Sequence, residues 1–230
     1  MKTKIPYHIG IIIDGNRRWA KEKNLPSFRG HKKGFEQIKK IGEYAWNNGV
    51  KILTIYCFST ENWNRSKIEV TYLMQLLGSA LNLKNIEYYH KKGIKIKIIG
   101  QKEKLLESLQ KKIQEAEELT KNNENGFLNL AISYGGRSEI IFAIKKIIEK
   151  NIPSNEITED LINKNLWTND LPHPDLIIRS GGEQRLSNFL TWQSAYSEFY
   201  FIKKYWPDFS EKDLDYILLN YSDRQRRYGK

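Results

Sequence analysis

A carboxylate and two guanidinium groups stand close together near the N-terminus, in the segment 14–18 (Asp-Gly-Asn-Arg-Arg). An apolar run precedes this segment and a helical pattern follows it, so the N–H groups of a helix start would point at an incoming anion. Arg side chains bind phosphate oxygens, and Mg²⁺ between the carboxylate and the phosphate would offset their repulsion. The alternative is an Asp-Gly-Asn turn that caps a helix. The segment by itself leaves both interpretations open.

A second group of anion-binding side chains stands in the segment 175–187. Arg179 and Arg185 flank a Ser-Gly-Gly sequence, and Ser187 follows. Arg forks bind phosphate oxygens in bidentate fashion, while Ser hydroxyls and Gly amides complete such a pocket. The sequence therefore predicts a second anion site. Farther on, Glu198 stands in an apolar stretch where an unpaired charge would be costly, so it needs a cation, either Arg or a metal ion.

Polar and aromatic side chains are concentrated in the segment 59–65 (Ser-Thr-Glu-Asn-Trp-Asn-Arg), directly after an apolar run. Such a density of polar groups predicts a binding loop, and the alternative is the N-terminal cap region of the next helix. Trp63 is expensive to leave in water and is expected to cover a ligand. His31 is predicted to stand at the start of a helix beginning at Lys32, where its imidazole could donate to a phosphate oxygen. A purely structural role is the alternative for His31.

The elements that must position these side chains are short apolar runs separated by helical patterns. The runs have the length of strands that are buried on both faces, as in a parallel sheet. Their residues are 8–13, 52–58, 94–99, 127–133, 176–178 and 199–202. We therefore predict one α/β domain over residues 1–230, with a mainly parallel central sheet of about six strands flanked by helices. Because ligands bind at the carboxyl ends of such strands, the candidate segments are expected to meet at one edge of the sheet.

Composition narrows the possible partners. The 230-residue chain has a formal charge of +11, with 40% apolar and 28% charged residues. This is typical of a globular protein that attracts anions: nucleic acid, an acidic membrane or a phosphorylated small molecule. The single Cys57 forms no internal disulfide and indicates a reducing compartment. Since neither a signal-peptide pattern nor a run of 18 apolar residues is found, we expect a cytoplasmic location.

Several motifs of other enzyme classes are absent from the sequence. It contains no Walker loop, no GxGxxG after a strand, no HExxH, no cluster of Cys and His, and no DDxxD segment. Nucleotide-dependent, zinc-dependent and trans-type prenyl-transfer chemistry therefore have no sequence support.

Taken in order, the candidate segments resemble those of the cis-prenyltransferases, also called the undecaprenyl diphosphate synthase or isoprenyl transferase family. A short Asp-Gly-Asn match would mean little, but long segments in family order are specific. The matching segments are 8–20, 30–31, 58–65, 134–137, 175–201, 206–209 and 224–229. They cover nearly the whole chain.

The resemblance implies an enzyme that condenses isopentenyl diphosphate onto an allylic diphosphate such as farnesyl diphosphate, with Mg²⁺ required. The product would be a long-chain polyprenyl diphosphate, the precursor of the undecaprenyl carrier lipid. The resemblance also implies a homodimer, in which Arg227-Tyr228-Gly229 approaches the neighbouring subunit's site. A basic surface would allow transient contact with an anionic membrane during product release. Nucleic acid is not an expected partner.

The resemblance also implies roles for individual residues. Asp14 would be the essential carboxylate and would hold Mg²⁺, Glu198 would complete the metal site, and Asn62 would take part in proton removal. Arg17 stands where many members have Gly, and Ser27 stands where an Arg often contacts the allylic diphosphate. The substrate-binding residues would be Gly15, Asn16, Arg17, Arg18, Trp19, Ser27, His31, Ser59, Thr60, Glu61, Trp63, Arg65, Arg179, Arg185, Leu186 and Ser187.

Three points stay open at the level of sequence. A predicted helix over 69–89 carries an apolar stripe that could wall a tunnel for the growing chain or could simply belong to the core. A non-catalytic partner subunit of a prenyltransferase is one rival function, and loss of the 14–18 or 179–185 segment would favour it; both are intact. A basic RNA-binding domain is the other rival, with no recognisable RNA-binding motif behind it.

Overall fold

The computed structural model describes residues 4–223. The segment 224–229, with the predicted tail Arg227-Tyr228-Gly229, lies outside the described residues.

Within residues 4–223, six parallel strands form one sheet in the order β3-β4-β2-β1-β5-β6. All five strand pairings are parallel, which confirms the predicted α/β architecture. β1 and β2 lie at the centre and are buried along almost their whole length, as their Ile-rich sequences predict. The strands are β1 His8–Ile12, β2 Ile52–Ser59, β3 Ile94–Ile99, β4 Gly126–Tyr134, β5 Leu176–Arg179 and β6 Glu198–Phe201.

Eight α-helices accompany the sheet within the described part of the chain. Apolar side chains of α2, α3, α4, α5 and α8 pack on one face of the sheet in the larger core cluster. The opposite face carries a smaller cluster that includes Phe189 and Leu190, with Trp167 packed against it. The helices are α1 Asn16–Glu22, α2 Ser27–Asn47, α3 Lys67–Ala80, α4 Leu83–Lys91, α5 Glu107–Thr120, α6 Gly136–Glu149, α7 Glu159–Asn165 and α8 Glu211–Ser222.

Two helix predictions are wrong in their boundaries. The predicted helix over 69–89 is divided into α3 and α4, because Asn82 caps a new helix start by accepting from the Asn85 N–H at 2.9 Å. The helix that was expected to begin at Lys32 begins at Ser27, directly after Pro26, whose extended backbone precedes the first turn. His31 therefore lies in the second turn of α2 and not at its start.

The strand register brings the candidate segments to one edge of the sheet. Ile12 of β1 pairs with Arg179 of β5, and Ser59 of β2 pairs with Tyr134 of β4. Each of these four residues is the last of its strand. The loops that carry the polar side chains begin directly after them. Among residues 4–223, no helix has both the length and the apolar character needed to cross a membrane.

Candidate active site

The first cleft lies at the carboxyl end of β1, where the chain turns into α1, and has a volume of about 550 Å³. Gly15 makes this turn with a φ of +97°, and a Cβ at this position would lie 2.5 Å from the Tyr205 ring. Both the backbone angle and the close approach require Gly. The predicted residues that line this cleft are Asp14, Gly15, Asn16, Arg17, Arg18, Ser27, His31 and Arg65.

The Asp14 carboxylate is surrounded by donors. Oδ2 accepts from Arg179 Nη2 at 2.9 Å, and Oδ1 accepts from the Gly15 N–H at 2.6 Å and lies 3.3 Å from Arg18 Nη2. Burial acts to raise the pKa of Asp14, but the hydrogen bond and charge of Arg179, the Gly15 N–H and the charge of Arg18 together hold it below its ordinary value. Asp14 is therefore ionised at neutral pH, as a metal-binding carboxylate must be.

A second cleft of about 540 Å³ continues from the first across Asp14. The two clefts share Asp14, Asn16, His31 and Arg65. The other walls of the second cleft come from the ends of β2, β4 and β5. The predicted residues found there are Ser59, Glu61, Asn62, Arg179 and Ser187. The two anion sites predicted from sequence are thus neighbours that meet at one carboxylate.

Arg179 is the most firmly held cation of the second cleft. It ends β5 and is only 4% exposed. Its Nη1 donates to the Arg185 carbonyl and, at 2.8 Å, to Ser187 Oγ, while Nη2 donates to Asp14. The orientation of the guanidinium is therefore fixed by the protein itself before any ligand arrives.

The loop after Arg185 is strained. Ser187, Asn188 and Leu190 have φ values of +48°, +66° and +42°, which L-residues rarely adopt. Strain of this kind is concentrated at functional sites, where the surrounding structure holds it. Here the Tyr56 hydroxyl, which donates to the Ser187 carbonyl at 3.3 Å, is one of the groups that fix the loop.

Asn188 is a positioning residue that sequence reasoning missed. Its Nδ2 donates to Glu61 Oε1 at 2.9 Å, and its Oδ1 accepts from the Arg137 N–H at 2.9 Å. It therefore connects the loops that follow β2, β4 and β5. One feature of the sequence could have indicated this residue: it is an Asn in a loop rich in Gly and Ser, and Asn is the non-Gly residue that most readily adopts positive φ.

The segment after β2 forms a 3-10 turn, Thr60–Asn64, with a reciprocal cap. The Ser59 side chain accepts from the Asn62 N–H, and Asn62 Oδ1 accepts from the Ser59 N–H at 3.2 Å. This reciprocal cap belongs to the 3-10 turn itself, whereas the next helix, α3, is capped by Ser66. The reciprocal cap fixes Asn62 at the wall of the second cleft.

Five predicted substrate-binding residues do not line either cleft. Trp63 is half-buried and packs on Phe58, and its Nε1 donates to Ser133 Oγ at 2.9 Å. The other four are Trp19, Thr60, Arg185 and Leu186.

Glu198 is not brought to Asp14 within one chain. It pairs with Leu176 at the amino end of β5, whereas Arg179, which contacts Asp14, pairs with Phe201 at the carboxyl end. Leu176 and Arg179 are three residues apart along β5, which corresponds to about 10 Å. In the described residues no group of three or more His, Cys, Asp or Glu is placed to hold a metal ion.

A narrow apolar throat leads from the clefts toward the interior. It is lined by Cys57, Leu73, Leu76 and Leu77, together with His31 and Asn16, which it shares with both clefts. Beyond it, α2, α3 and the sheet enclose a mainly apolar cavity of about 300 Å³. Phe35 and Leu76 belong to both throat and cavity. The polar clefts, the throat and the apolar cavity are thus neighbours with common wall residues, an arrangement that suits an amphiphilic substrate.

Comparison with known proteins gives a consistent result. A family model described as putative undecaprenyl diphosphate synthase matches residues 12–229. A (2E,6E)-farnesyl-diphosphate-specific ditrans,polycis-undecaprenyl-diphosphate synthase from Micrococcus luteus is 48% identical over 231 residues, covering 99% of this chain and 92% of that protein. An isoprenyl transferase from Aquifex pyrophilus is 46% identical over 230 residues, covering 100% and 98%.

Solved structures agree. Lavandulyl diphosphate synthase from Lavandula x intermedia, in complex with dimethylallyl diphosphate, has a TM-score of 0.94 and 41% identity, covering 98% of this chain and 99% of that one. A probable undecaprenyl diphosphate synthase from Campylobacter jejuni has a TM-score of 0.83 and 34% identity, covering 99% and 100%. Fold, site and relatives coincide over essentially the whole chain. The protein belongs to the undecaprenyl diphosphate synthase family of cis-prenyltransferases and is a prenyl-transferring enzyme.

Proposed function

We propose that this cis-prenyltransferase uses Mg²⁺ to add isopentenyl diphosphate units to farnesyl diphosphate and makes a long-chain polyprenyl diphosphate, the precursor of the undecaprenyl carrier lipid. The observation that carries this proposal is that two polar clefts, which share Asp14, adjoin an apolar throat and cavity. Condensation of two diphosphates needs two adjacent anion sites, and a growing isoprenoid needs an apolar space beside them.

In this proposal the allylic diphosphate occupies the first cleft. Its ionisation separates a carbocation from a leaving group whose negative charge must be stabilised. Arg17, Arg18 and His31, together with the N–H groups at the start of α1, supply oriented donors there. The allylic chain enters the throat, where apolar walls exclude the water that would trap the cation.

Isopentenyl diphosphate occupies the second cleft. The oriented Arg179 and the Ser187 hydroxyl bind its diphosphate, and Glu61 and Asn62 lie at the opposite wall. An amide is too weak a base to hold the abstracted proton, so Asn62 acts by orienting the group that loses it.

Asp14 is the residue that would hold Mg²⁺. One carboxylate plus substrate phosphate oxygens and water is the donor set that Mg²⁺ commonly uses, and Asp14 stands where both clefts meet. When bound, the metal ion would stabilise negative charge on the diphosphate. Glu198 has no part in this assignment within one chain.

The test uses purified protein with Mg²⁺, farnesyl diphosphate and radiolabelled isopentenyl diphosphate, with products separated by chain length. We expect label in a long-chain lipid and loss of incorporation with EDTA, restored by added Mg²⁺. If no label enters an extended lipid, and geranyl and geranylgeranyl diphosphate also fail as starters, the proposed reaction is wrong.

Product length should respond to the size of residue 80, which lines the apolar cavity from α3. We expect Ala80→Leu to yield shorter products, because the added side chain occupies space needed by the growing chain. Gly78→Ala is a matched control on the same helix: its new Cβ would meet only Lys112 Nζ, at 3.7 Å. This control should leave chain length unchanged and stabilise α3 by about 1 kcal/mol. Equal product lengths for Ala80→Leu and the wild type would contradict a role for this cavity in chain growth.

We also propose that the protein forms a homodimer through α6. Ile141, Ile144 and Ile148 are exposed and recur at helical spacing, so they form one apolar stripe on this helix. We expect Ile144→Glu to shift the protein to a monomer in analytical ultracentrifugation, because the charge would be desolvated in the interface. Leu106→Glu, an equally drastic change at an exposed site outside α6, should leave the assembly unchanged. An unaltered assembly in Ile144→Glu would place the interface elsewhere.

The location proposed is the cytoplasm, with transient contact to an anionic membrane. Its support is the net charge of +11 and the exposed Leu25, Phe28 and Ile68 near the first cleft. We expect the protein to co-sediment with anionic vesicles and not with zwitterionic vesicles. Equal co-sedimentation with both would contradict the proposed contact with an anionic membrane.

A further inference from the structure

Two Arg side chains and one His side chain of the first cleft converge on one carboxylate, Glu69, which no sequence pattern singles out. Its Oε1 accepts from Arg65 Nη1 at 3.0 Å and lies 3.3 Å from His31 Nε2, and its Oε2 lies 3.7 Å from Arg17 Nη1. The Glu69 side chain is only 13% exposed. Its partners come from α1, from α2 and from the segment before α3, so one carboxylate connects three separately placed parts of the chain.

Glu69 does not line either cleft, whereas its three partners all line the first. A group in this position acts through the residues it holds and not by touching a substrate. We propose that Glu69 is a positioning residue that gathers Arg17, His31 and Arg65 at the diphosphate cleft and fixes the direction of their donors. This assignment rests on the proposed use of that cleft by the allylic diphosphate.

The physical need for such a group comes from the cations themselves. Arg17 and Arg65 carry like charges, so without a shared counter-charge they would repel each other and turn toward water. Burial and the charge of Arg65 lower the pKa of His31, while the hydrogen bond and charge of Glu69 act to raise it. Glu69 therefore makes it possible for these groups to stay close together. A binding site whose donors are already oriented loses less entropy when the ligand binds.

The arrangement also gives a reason for Arg17. Most of the surface of this side chain is exposed. A long, exposed side chain would normally sample many rotamers. Its contact with the nearly buried Glu69 directs the guanidinium toward the cleft, so Arg17 adds a cation to this chain's diphosphate site.

Glu69 also links the cleft to the throat. It lies in the first turn of α3, where its N–H donates to the capping Ser66 Oγ at 3.3 Å. The same helix carries Leu73 and Leu76 of the throat wall. Holding Arg17, His31 and Arg65 therefore also holds the start of α3 against the diphosphate cleft.

Glu69 could also act by simple repulsion of the diphosphate, and the two roles predict opposite changes in diphosphate binding when its charge is removed. A carboxylate that did nothing but repel the diphosphate would weaken its binding, so removal of the charge would tighten binding. A positioning carboxylate strengthens binding, so removal of the charge would weaken it. The sign of the change distinguishes the two.

The experiment compares Glu69→Gln with the wild type. Gln keeps the shape and one acceptor oxygen but removes the charge. We expect the Kd for inorganic diphosphate, measured by calorimetry, and the KM for farnesyl diphosphate to rise about tenfold, as is typical when a residue supporting a binding group is changed. The value of kcat should change much less, whereas the KM for isopentenyl diphosphate should also rise, because His31 and Arg65 line the second cleft as well. Unchanged or tighter diphosphate binding overturns the proposal.

Two further variants separate positioning from general effects. Glu107→Gln makes the same chemical change in the first turn of α5, where Glu107 is exposed and pairs only with Lys111 among the ion pairs of the described residues; diphosphate binding should not change. Arg17→Gln and the double variant Arg17→Gln/Glu69→Gln should show less than additive losses, since both changes remove the same contact. Strictly additive losses would overturn the assignment for Arg17.

The calorimetric measurement does not require turnover. If the wild type makes no prenyl product but Glu69→Gln still weakens diphosphate binding, the proposed function fails and the role of Glu69 stands. If prenyl transfer is confirmed and the variant binds diphosphate as the wild type does, the role of Glu69 fails alone.

Discussion

Asp14→Ala is expected to lower kcat by more than about a thousandfold while the protein stays folded. The carboxylate stands where both clefts meet, and removing a charge-stabilising metal ligand costs several kcal/mol of transition-state stabilisation, at 1.36 kcal/mol for each factor of ten. Steady-state assays at saturating substrates measure the loss.

Stability should fall only moderately in Asp14→Ala. The buried Arg179 loses one partner but keeps Ser187 Oγ and the Arg185 carbonyl. Asp14→Asn tests the same point with the shape retained, and we expect it to be inactive as well, because a neutral amide is a poor ligand for Mg²⁺. Asp160→Asn, at an exposed ion pair on α7, serves as the control and should be fully active. Near-normal turnover in Asp14→Ala would remove Asp14 from the mechanism.

Arg179→Lys should have the second largest effect, although it keeps the positive charge. A single ammonium cannot reproduce the guanidinium fork that contacts Asp14, Ser187 and the Arg185 carbonyl together. The loss of one charged hydrogen bond to the diphosphate, which contributes about 1.5–3 kcal/mol, predicts an increase of about tenfold to a hundredfold in the KM for isopentenyl diphosphate. Steady-state kinetics with isopentenyl diphosphate as the varied substrate measures it.

The same variant should change the pH dependence. Arg179 is the main group that lowers the pKa of Asp14 against the opposing effect of burial. When its hydrogen bond is lost, the pKa of Asp14 rises, so the acid limb of the rate profile should move to higher pH. The depressed pKa also means that the ion pair stabilises the fold above the ordinary pKa of Asp and that this stability disappears as pH falls through the folded-state pKa. If the acid limb of the rate profile does not shift, a group other than Asp14 determines its position.

Most of the fold could be predicted from the sequence because its signals are local. An apolar run of strand length, followed by a helical pattern, reports a β–α unit without knowledge of its neighbours, and the alternation then requires a parallel sheet. Parallel strands send all their carboxyl ends to one edge, so Asp14, Ser59 and Arg179 could be placed together from their positions after strands. The break at Asn82 was missed because an apolar stripe can run through a helix end, whereas a cap depends on one side chain.

The sequence by itself determined the family, the six strands and the two anion-binding segments. Tertiary structure decided which side chains of those segments face the clefts. Trp63 and Arg65 are two residues apart, yet the first packs against the core and the second lines the cleft. Strand register, which no local pattern contains, placed Glu198 away from Asp14. The contacts of Asn188 and Glu69 join residues far apart in the chain, so they depend on how separate elements meet in space and can be recognised only after folding.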